Sequence, residues 1–450
     1  MKHWISTTPA VIAVLTLGGG ITPADASTER VTAGAAFNPS ISVILDGVYA
    51  NEFSGHAHDP AGFEIGHHHH GHDHDHDLED GFNLRETEIV FEATVDPYFD
   101  AFVTLAVEGT SGLNVEEAYL TTRALPAGLQ LKAGRFLSDI GYINHRHPHD
   151  WDFVDRPLVN EHLFGDHGLQ ENGVQLSWLA PTRSYLRLGI EVLQGETAGI
   201  ANYEGAGEHT VLGYADDNGQ PERLRWRADN GLGDVSGPRL GTVFAKWGPD
   251  LGYDHAAQFG LSAGHARAFQ RVETHSTGRL ETWDGDSWFA GIDAVYKYDP
   301  GGYLGHRQWI VQGEYFVRNI DATYRSQTFQ DSGTLNVDDK ISGTAKQDGI
   351  YLQTVYGIAP RWRAGLRAEA LGLTNDTLEA DRAKGRFESM DASYRYSANV
   401  TFYPSHFSFI RAQFNYSDFA EEDGDDDDHG AWQFMLQYNL SLGAHGAHPF

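Results

Sequence analysis

The sequence predicts an all-β protein, a transmembrane antiparallel up-and-down β-barrel of about 16 strands with long extracellular loops and short periplasmic turns. Apolar and polar residues alternate in segments that recur along the chain. Between these strands, very short turns alternate with long polar segments. No segment approaches the roughly 20 apolar residues that a membrane-spanning helix needs. The chain would therefore cross a membrane as strands.

The first 26 residues have the pattern of a secretory signal peptide. Met1–His3 is a short basic stretch, Pro9–Leu17 is apolar, and Ala24–Ala26 offers small residues for cleavage. We expect residues 1–26 to be removed after Sec export, and residues 27–450 to form one barrel domain. Export and strands together predict the outer membrane of a Gram-negative bacterium, with lipid, lipopolysaccharide and the barrel-assembly machinery as partners.

Strands are assigned in chain order from this alternation. The first predicted strand, Ser40–Ala50, runs toward the extracellular side, and the second, Leu84–Val95, runs back. The third strand is Phe99–Glu108, and the last is Trp432–Leu442. Tight turns are predicted at 96–97, 125–128, 180–182, 247–253, 299–303, 359–360 and 404–405. Long loops are predicted at 51–81, 138–171, 195–236, 266–285, 321–347, 375–390 and 420–430. In outer-membrane barrels the short turns are periplasmic and the long loops extracellular.

The segment Arg361–Leu371 shows the two faces of such a strand. Trp362 and Leu366 lie on one face with three alanines, and Arg363 and Arg367 lie on the other. Both faces would be accommodated if the apolar face contacted lipid and the charged face contacted water. Aromatic residues cluster beside the short turns, as expected for the ring of aromatic side chains at a membrane interface; they are Tyr98, Trp178, Tyr185, Trp247, Tyr298, Trp309, Trp362, Tyr403 and Phe407.

The polar faces of the predicted strands carry charges that would line a water-filled lumen. A basic sector lies mostly in the second half of the chain and an acidic sector in the early strands. Rings of charge of this kind tune ion selectivity, whereas the same residues could instead pair with neighbouring strands. The predicted pore-lining residues are Arg187, Lys246, Arg318, Arg361, Arg363, Arg367, Glu369, Arg395, Arg411, Glu86 and Glu88.

The first long loop, placed at 51–83, is rich in histidine and aspartate. Imidazole and carboxylate groups bind zinc, nickel and copper, and with no cysteine in the chain any metal must rely on them. The alternative is a solvated low-complexity loop. The candidate ligands are His56, His58, His67, His68, His69, His70, His72, His74, His76, Asp73 and Asp75.

The loop at 138–171 offers a second set of ligands. It could fold into the barrel and narrow it, or it could be an ordinary polar loop stabilised by burial of Trp151 and Phe153. Its candidate metal ligands are His145, His147, His149, Asp150, His162 and His167. No catalytic zinc signature and no compact nucleophile–histidine–acid motif is present, so the sequence does not predict an enzyme.

Charge excludes one class of partner. The chain has 63 Asp and Glu against 32 Lys and Arg, a formal charge of -31. Such a surface repels phosphate backbones, so we expect no nucleic-acid partner, and it attracts cations.

The stretch LKAGRFLSDIGYINHRHPHDWDFVDRPLV, which follows EEAYLTTRALPAGLQ, resembles the phosphate-selective porin superfamily. With its His-rich first loop, the chain resembles zinc-regulated outer-membrane proteins, some of which are labelled TonB-dependent receptors. The resemblance implies a sixteen-stranded porin, a homotrimer and production under zinc limitation. Two features depart from it: the chain is too short for a plug domain plus 22 strands, and its acidic loops do not look like a phosphate funnel.

These observations predict a porin for passive passage of small hydrophilic solutes, whose His/Asp-rich loops capture zinc or other divalent cations for uptake. No cofactor is required, and Zn²⁺ would be a bound or transported ion. One alternative is an anion porin that uses the lumenal arginines. Another is a non-conducting outer-membrane hydrolase or adhesin.

Overall fold

The structure, a computed structural model, describes residues 39–55, 59–63, 78–108, 112–215, 222–275, 278–329, 335–381, 385–421 and 430–443. It confirms the predicted fold class, a closed antiparallel barrel of 16 strands. The predicted signal peptide lies outside the described residues, and so does the tail after residue 443.

The described residues form nineteen strands and one short α-helix. The strands are β1 Ser40–Ser54, β2 Gly81–Thr94, β3 Phe99–Glu108, β4 Asn114–Thr122, β5 Leu129–Leu137, β6 Gln170–Leu179, β7 Tyr185–Leu193, β8 Glu208–Ala215, β9 Glu222–Asp229, β10 Leu240–Gly248, β11 His255–His275, β12 Arg279–Tyr298, β13 Trp309–Phe329, β14 Leu335–Ala359, β15 Trp362–Asp381, β16 Arg386–Ser389, β17 Ser393–Ser405, β18 Ser408–Asp418 and β19 Ala431–Gly443. The helix is α1, Leu158–Phe164. Among the described helices, none has the length and apolar character needed to cross a bilayer.

The barrel closes because its first strand pairs with its last. β1 is antiparallel to β2 on one side and to β19 on the other. Every other wall strand pairs with its neighbours in chain order, except that β7 pairs with β10 and β15 with β17. The intervening β8 and β9 form a separate hairpin, and β16 pairs only with the far end of β15. Sixteen strands therefore make the wall.

The two faces of the wall differ as the alternation predicts. In β15, Leu366 is 62% exposed on the outside, whereas the next residue, Arg367, is 3% exposed on the lumenal side. Seven of the nine aromatic residues expected beside the short turns are exposed, Tyr298 and Tyr403 being half-buried. The outer surface is thus apolar with aromatic residues near one end, as membrane lipid requires.

Three predicted long loops are wrong: 266–285, 321–347 and 375–390 are largely paired strand. β11 runs to His275 and β12 starts at Arg279, so this hairpin continues well beyond the aromatic ring. The neighbouring hairpins extend in the same way, and their inward side chains pack around Trp283 and Tyr324. A strand with a polar, water-exposed face resembles a loop in sequence. The hydrogen bonds that stabilise it as a strand are made with residues distant in the sequence, so they leave no local signal.

We predict that Leu366→Arg lowers the free energy of unfolding by about 2–4 kcal/mol, because it places a charge on the lipid-facing wall. Urea unfolding of the protein in lipid vesicles measures the change. The matched control is Leu251→Arg in the turn between β10 and β11, where the cost should stay below about 1 kcal/mol. Equal costs at the two positions would contradict the assignment of the outer face.

Candidate functional site in the barrel lumen

The segment between β5 and β6, residues 138–169, lies inside the barrel, and we call it the inner loop. The backbone N–H of Ile143 donates to Oε1 of Glu314 on β13 at 2.7 Å. Farther along, the N–H of Val154 donates to Oε1 of Gln413 on β18 at 2.8 Å. Since β13 and β18 stand in different parts of the wall, the inner loop crosses the lumen. It corresponds to the loop that the sequence placed at 138–171.

Wall side chains satisfy the backbone of the inner loop. A loop inside a barrel needs hydrogen-bond partners for its N–H and C=O groups, because an unpaired buried group is costly. Glu369 on β15 accepts from the N–H of Leu158 at 2.9 Å, where α1 begins. The residue before α1 is Pro157, which provides no side-chain cap. The carboxylate of Glu369 therefore caps the N-terminus of α1.

Asp155 holds the middle of the inner loop to the wall. Its two carboxylate oxygens lie 2.6 Å from a guanidinium nitrogen of Arg367 and 3.1 Å from one of Arg395. Gln413 and Asn415 donate to the same carboxylate at 2.6 and 3.0 Å. Burial raises the pKa of Asp155, but the two arginines lower it by more, so the pKa lies well below its usual range. Asp155 is therefore ionised and firmly paired.

Other lumenal cations bind the carbonyl groups of inward segments. Arg411 donates to the carbonyl oxygen of Trp151 at 2.8 Å, and Arg318 donates to that of Gly199 at 2.8 Å. Lys246 donates to the carbonyl of Gly141 and lies 2.8 Å from Asp293. The basic sector predicted from the sequence thus holds the chain that fills the lumen.

An apolar core surrounds α1 in the lumen. Phe164 of α1 packs edge-on against Phe289 and Phe316 of the wall, with ring centroids 5.1 and 5.0 Å apart. Two further inward segments contribute Phe63 and Ile200, both fully buried. Burial of such side chains contributes about 1.5–3 kcal/mol each. The inner loop is thus part of the packed interior of the barrel.

Histidines of the inner loop meet a wall of glutamates. Nδ1 of His147 lies 3.3 Å from Oε2 of Glu116 and 3.6 Å from Oε2 of Glu88. Its Nε2 lies 3.1 Å from Glu117. His149 stacks on His147 and places its Nδ1 2.9 Å from Oε1 of Glu88. We call Glu88, Glu116, Glu117, His147 and His149 the Glu–His cluster.

Electrostatics in the Glu–His cluster favour positive charge. Burial lowers the pKa of His147, yet the attraction of Glu88, Glu116 and Glu117 outweighs it and raises the pKa well above the ordinary value. Glu86 is also buried and interacts with Glu116. Four carboxyl groups thus lie near two imidazoles in a largely buried site, which is an environment suited to a cation.

Of the remaining histidines predicted as ligands, His167 interacts electrostatically with Glu116, whereas His145 and His162 have other ring partners. His145 contacts the ring of Tyr142, and burial lowers its pKa to about 3. His162 lies on α1 with its ring against Phe63. Asp150 lies 3.8 Å from His149, and His167 follows α1. The candidate ligands between His56 and His76 lie outside the described residues.

Among the predicted pore-lining residues, one lies elsewhere. Arg361 is exposed in the turn between β14 and β15, where its φ of +70° ends the strand pairing. Its position in the alternation suggested the lumenal face, but the turn takes it out of the wall. Arg187 is half-buried and bonded to Asp139 at 2.7 Å. Arg363 is half-buried and donates to Gln308 at 2.9 Å.

The sequence did not single out Glu116 and Glu117. Adjacent residues of a regular strand point to opposite faces, so only one of them should reach the lumen. The pairing of β3 with β4 shifts register here: Thr104 faces Glu117 and Leu105 faces Val115. This bulge leaves Glu116 without a partner residue and turns both carboxylates inward. The Glu-Glu pair itself was the available signal.

A second group of histidine and glutamate lies on the extended hairpins. Glu273, His275 and Glu281 have ligand atoms within 4.8 Å of one another. Here Arg271 pairs with Glu273, and Arg279 lies 3.0 Å from Glu281. The arginines balance the carboxylates, so this group lacks the excess negative charge of the Glu–His cluster.

A closed 16-strand barrel with an apolar outside and a charged inside is a bacterial outer-membrane β-barrel. No protein-family model matches the chain. A protein of Aquifex aeolicus (strain VF5), described as an uncharacterized protein, is 33% identical over 430 residues, which cover 92% of this chain and 80% of that one. The chain belongs to the same family as this A. aeolicus protein.

Solved structures of outer-membrane proteins resemble the chain over 90% of its length. The outer membrane channel DcaP of Acinetobacter baumannii is 13% identical with a TM-score of 0.49, over 96% of its chain. Pseudomonas putida OprB is 8% identical with a TM-score of 0.48, over 94%. The trimer form of Vibrio cholerae OmpT is 11% identical with a TM-score of 0.46, over 99%. The barrel fold itself is defined by the strand pairing given above.

We predict that Asp155→Ala lowers the free energy of unfolding by about 3 kcal/mol, because Arg367 and Arg395 then share Glu369 as their one remaining buried counter-charge among the described residues. Urea unfolding gives this change, and limited proteolysis should cut the inner loop faster in the variant. The control is Asp100→Ala, whose exposed carboxylate lies 3.5 Å from Arg123. It should cost no more than about 1 kcal/mol, and similar losses in both variants would rule out a clamp at Asp155.

Proposed function

We propose that this protein is an outer-membrane channel for passive passage of small hydrophilic solutes, with the inner loop setting the width and charge of the passage. The observation that carries the proposal is the inner loop itself, which crosses the lumen and is held by Asp155 and by the backbone contacts of Glu314 and Gln413.

We further propose that the His/Asp-rich loops capture Zn²⁺ or other divalent cations for uptake. Two features support this. The nine histidines between His56 and His76 are joined to residues anchored in the barrel: Phe63 is buried against α1, and Leu78 packs beside Met435. The Glu–His cluster then places buried carboxylates farther along the lumen. Candidate cation-binding groups thus occur in the first loop and in the inner loop.

The anion-porin alternative has less support from the geometry. Arg367 and Arg395 are paired with Asp155, and Arg411 is bonded to Trp151 and Gln437. Guanidinium groups engaged in this way are not available to bind a passing phosphate. We therefore propose a preference for cations.

Two parts of the proposal rest on sequence resemblance alone. The motif quoted for the phosphate-selective porin superfamily and its His-rich zinc-regulated members supports a relationship with those porins. A homotrimer and production under zinc limitation stay predictions that follow from it.

We predict that the purified protein conducts in planar lipid bilayers, with a reversal potential of the sign that marks cation preference in a KCl gradient. Asp155→Ala should increase the single-channel conductance, because the inner loop loses its main attachment. Asp100→Ala should leave the conductance unchanged. No conductance from the wild-type protein would contradict the channel proposal, and anion preference would contradict its selectivity.

We predict that replacing the nine histidines between His56 and His76 with asparagine lowers zinc accumulation by cells grown at limiting zinc, because these imidazoles provide the first binding step. Metal analysis of washed cells measures the effect. The control replaces Asp425, Asp426, Asp427 and Asp428 with asparagine, which alters another loop without removing imidazole. Equal accumulation in wild type and the histidine variant would argue against capture.

A further inference from the structure

The Glu–His cluster is an unusual concentration of buried negative charge. Glu88 is 2% exposed, Glu117 6% and Glu116 7%, and Glu86 beside them is 6% exposed. Transfer of an ionised carboxylate out of water costs several kcal/mol unless it is paired. The cluster has three carboxylates and two imidazoles, and Glu86 beside it adds a fourth carboxyl group.

Two carboxylate oxygens in the cluster lack hydrogen bonds. They are Oε2 of Glu88 and Oε2 of Glu116, both buried. These are the same atoms that lie 3.6 and 3.3 Å from Nδ1 of His147. Most buried polar atoms have a partner, and each exception needs an explanation. Ligand atoms of Glu88, Glu116 and His147 all lie within 4.8 Å of one another.

The spacing of these three atoms fits a small metal ion. Zinc bonds to histidine nitrogen and carboxylate oxygen are about 2.0–2.2 Å long, which puts neighbouring ligand atoms of a tetrahedral site roughly 3.3–3.5 Å apart. The two measured distances, 3.3 and 3.6 Å, lie at that spacing. Calcium and magnesium prefer oxygen ligands alone, so the imidazole favours a transition metal.

The surroundings of His147 match those of a metal ligand. Its other ring nitrogen, Nε2, lies 3.1 Å from Oε2 of Glu117. A carboxylate that accepts from the far side of a ligating imidazole fixes its tautomer and raises its basicity. His149 similarly contacts the second oxygen of Glu88 at 2.9 Å. Two of the three candidate ligands, His147 and Glu88, thus have neighbours that orient them.

We propose that the lumen holds a binding site for one divalent transition-metal ion of the Zn²⁺ type. The ligands are Nδ1 of His147, Oε2 of Glu88 and Oε2 of Glu116, and Glu117 is a positioning residue for His147. Glu88 belongs to β2, Glu116 to β4 and His147 to the inner loop, so the ion joins the loop to the wall. Metal binding would therefore stabilise the inward position of the loop. This inference rests on the proposed capture of divalent cations and gives it a lumenal site, but its test is separate, since an ion can occupy the site whether or not the barrel conducts.

The test is calorimetric titration of the full-length, detergent-solubilised protein with Zn²⁺ after removal of metal by a chelator. Wild type should bind one more equivalent than Glu116→Gln or His147→Gln. The His-rich segment is present in every protein, so the difference reports on the lumenal site. Glu117→Gln should keep the stoichiometry and weaken this site by about 10–100-fold.

The matched control is Glu273→Gln in the charge-balanced group on the extended hairpins, which should bind as wild type does. Zn²⁺ should also raise the unfolding temperature of wild type and of the control, and leave that of Glu116→Gln unchanged at the same concentration. Equal stoichiometry in wild type and both ligand variants would overturn the proposal. So would loss of the equivalent in Glu273→Gln alone.

If the ligand variants do not fold, crystals of the wild-type protein soaked in one equivalent of Zn²⁺ decide the matter. An anomalous scattering peak between His147, Glu88 and Glu116 supports the proposal, and its absence overturns it.

Discussion

The pairing of β1 with β19 is the constraint on which the rest of the structure depends. In lipid every backbone N–H and C=O group needs a partner within the protein, and only a closed sheet supplies one for each strand. Closure also separates an outside that contacts lipid from an inside that does not. The alternation along each strand then decides which side chains enter the lumen.

The inner loop crosses the lumen that closure creates, and its contacts explain the charges of the wall. Arg367, Arg395 and Glu369 suggested a selectivity sector when considered as a strand face. In the structure they bind Asp155 and the start of α1, so they position the inner loop. Charges that would cost energy in an apolar interior are stable here because each is paired with the segment that it holds.

Three inward segments meet in this interior, where Phe63 and Ile200 lie in one apolar cluster with α1. Phe63 of the first loop packs against α1. The inner loop places His147 beside Glu88 and Glu116. A metal ion in the Glu–His cluster would link the position of the inner loop to the supply of the ion. Cation capture and the width of the passage would then depend on the same residues.

The sequence by itself determined the barrel, its strand faces and its short turns, because alternation and turn chemistry are local properties. Leu366 and Arg367, for example, lie on opposite faces because they are adjacent residues of a regular strand. It also marked His147 as a ligand type. Only the tertiary structure decided that β11 and β12 continue through the segment predicted as a loop, that Arg361 leaves the wall in a turn, and that a bulge turns Glu116 inward. These outcomes depend on partner strands distant in sequence, and so does the direction in which the inner loop folds.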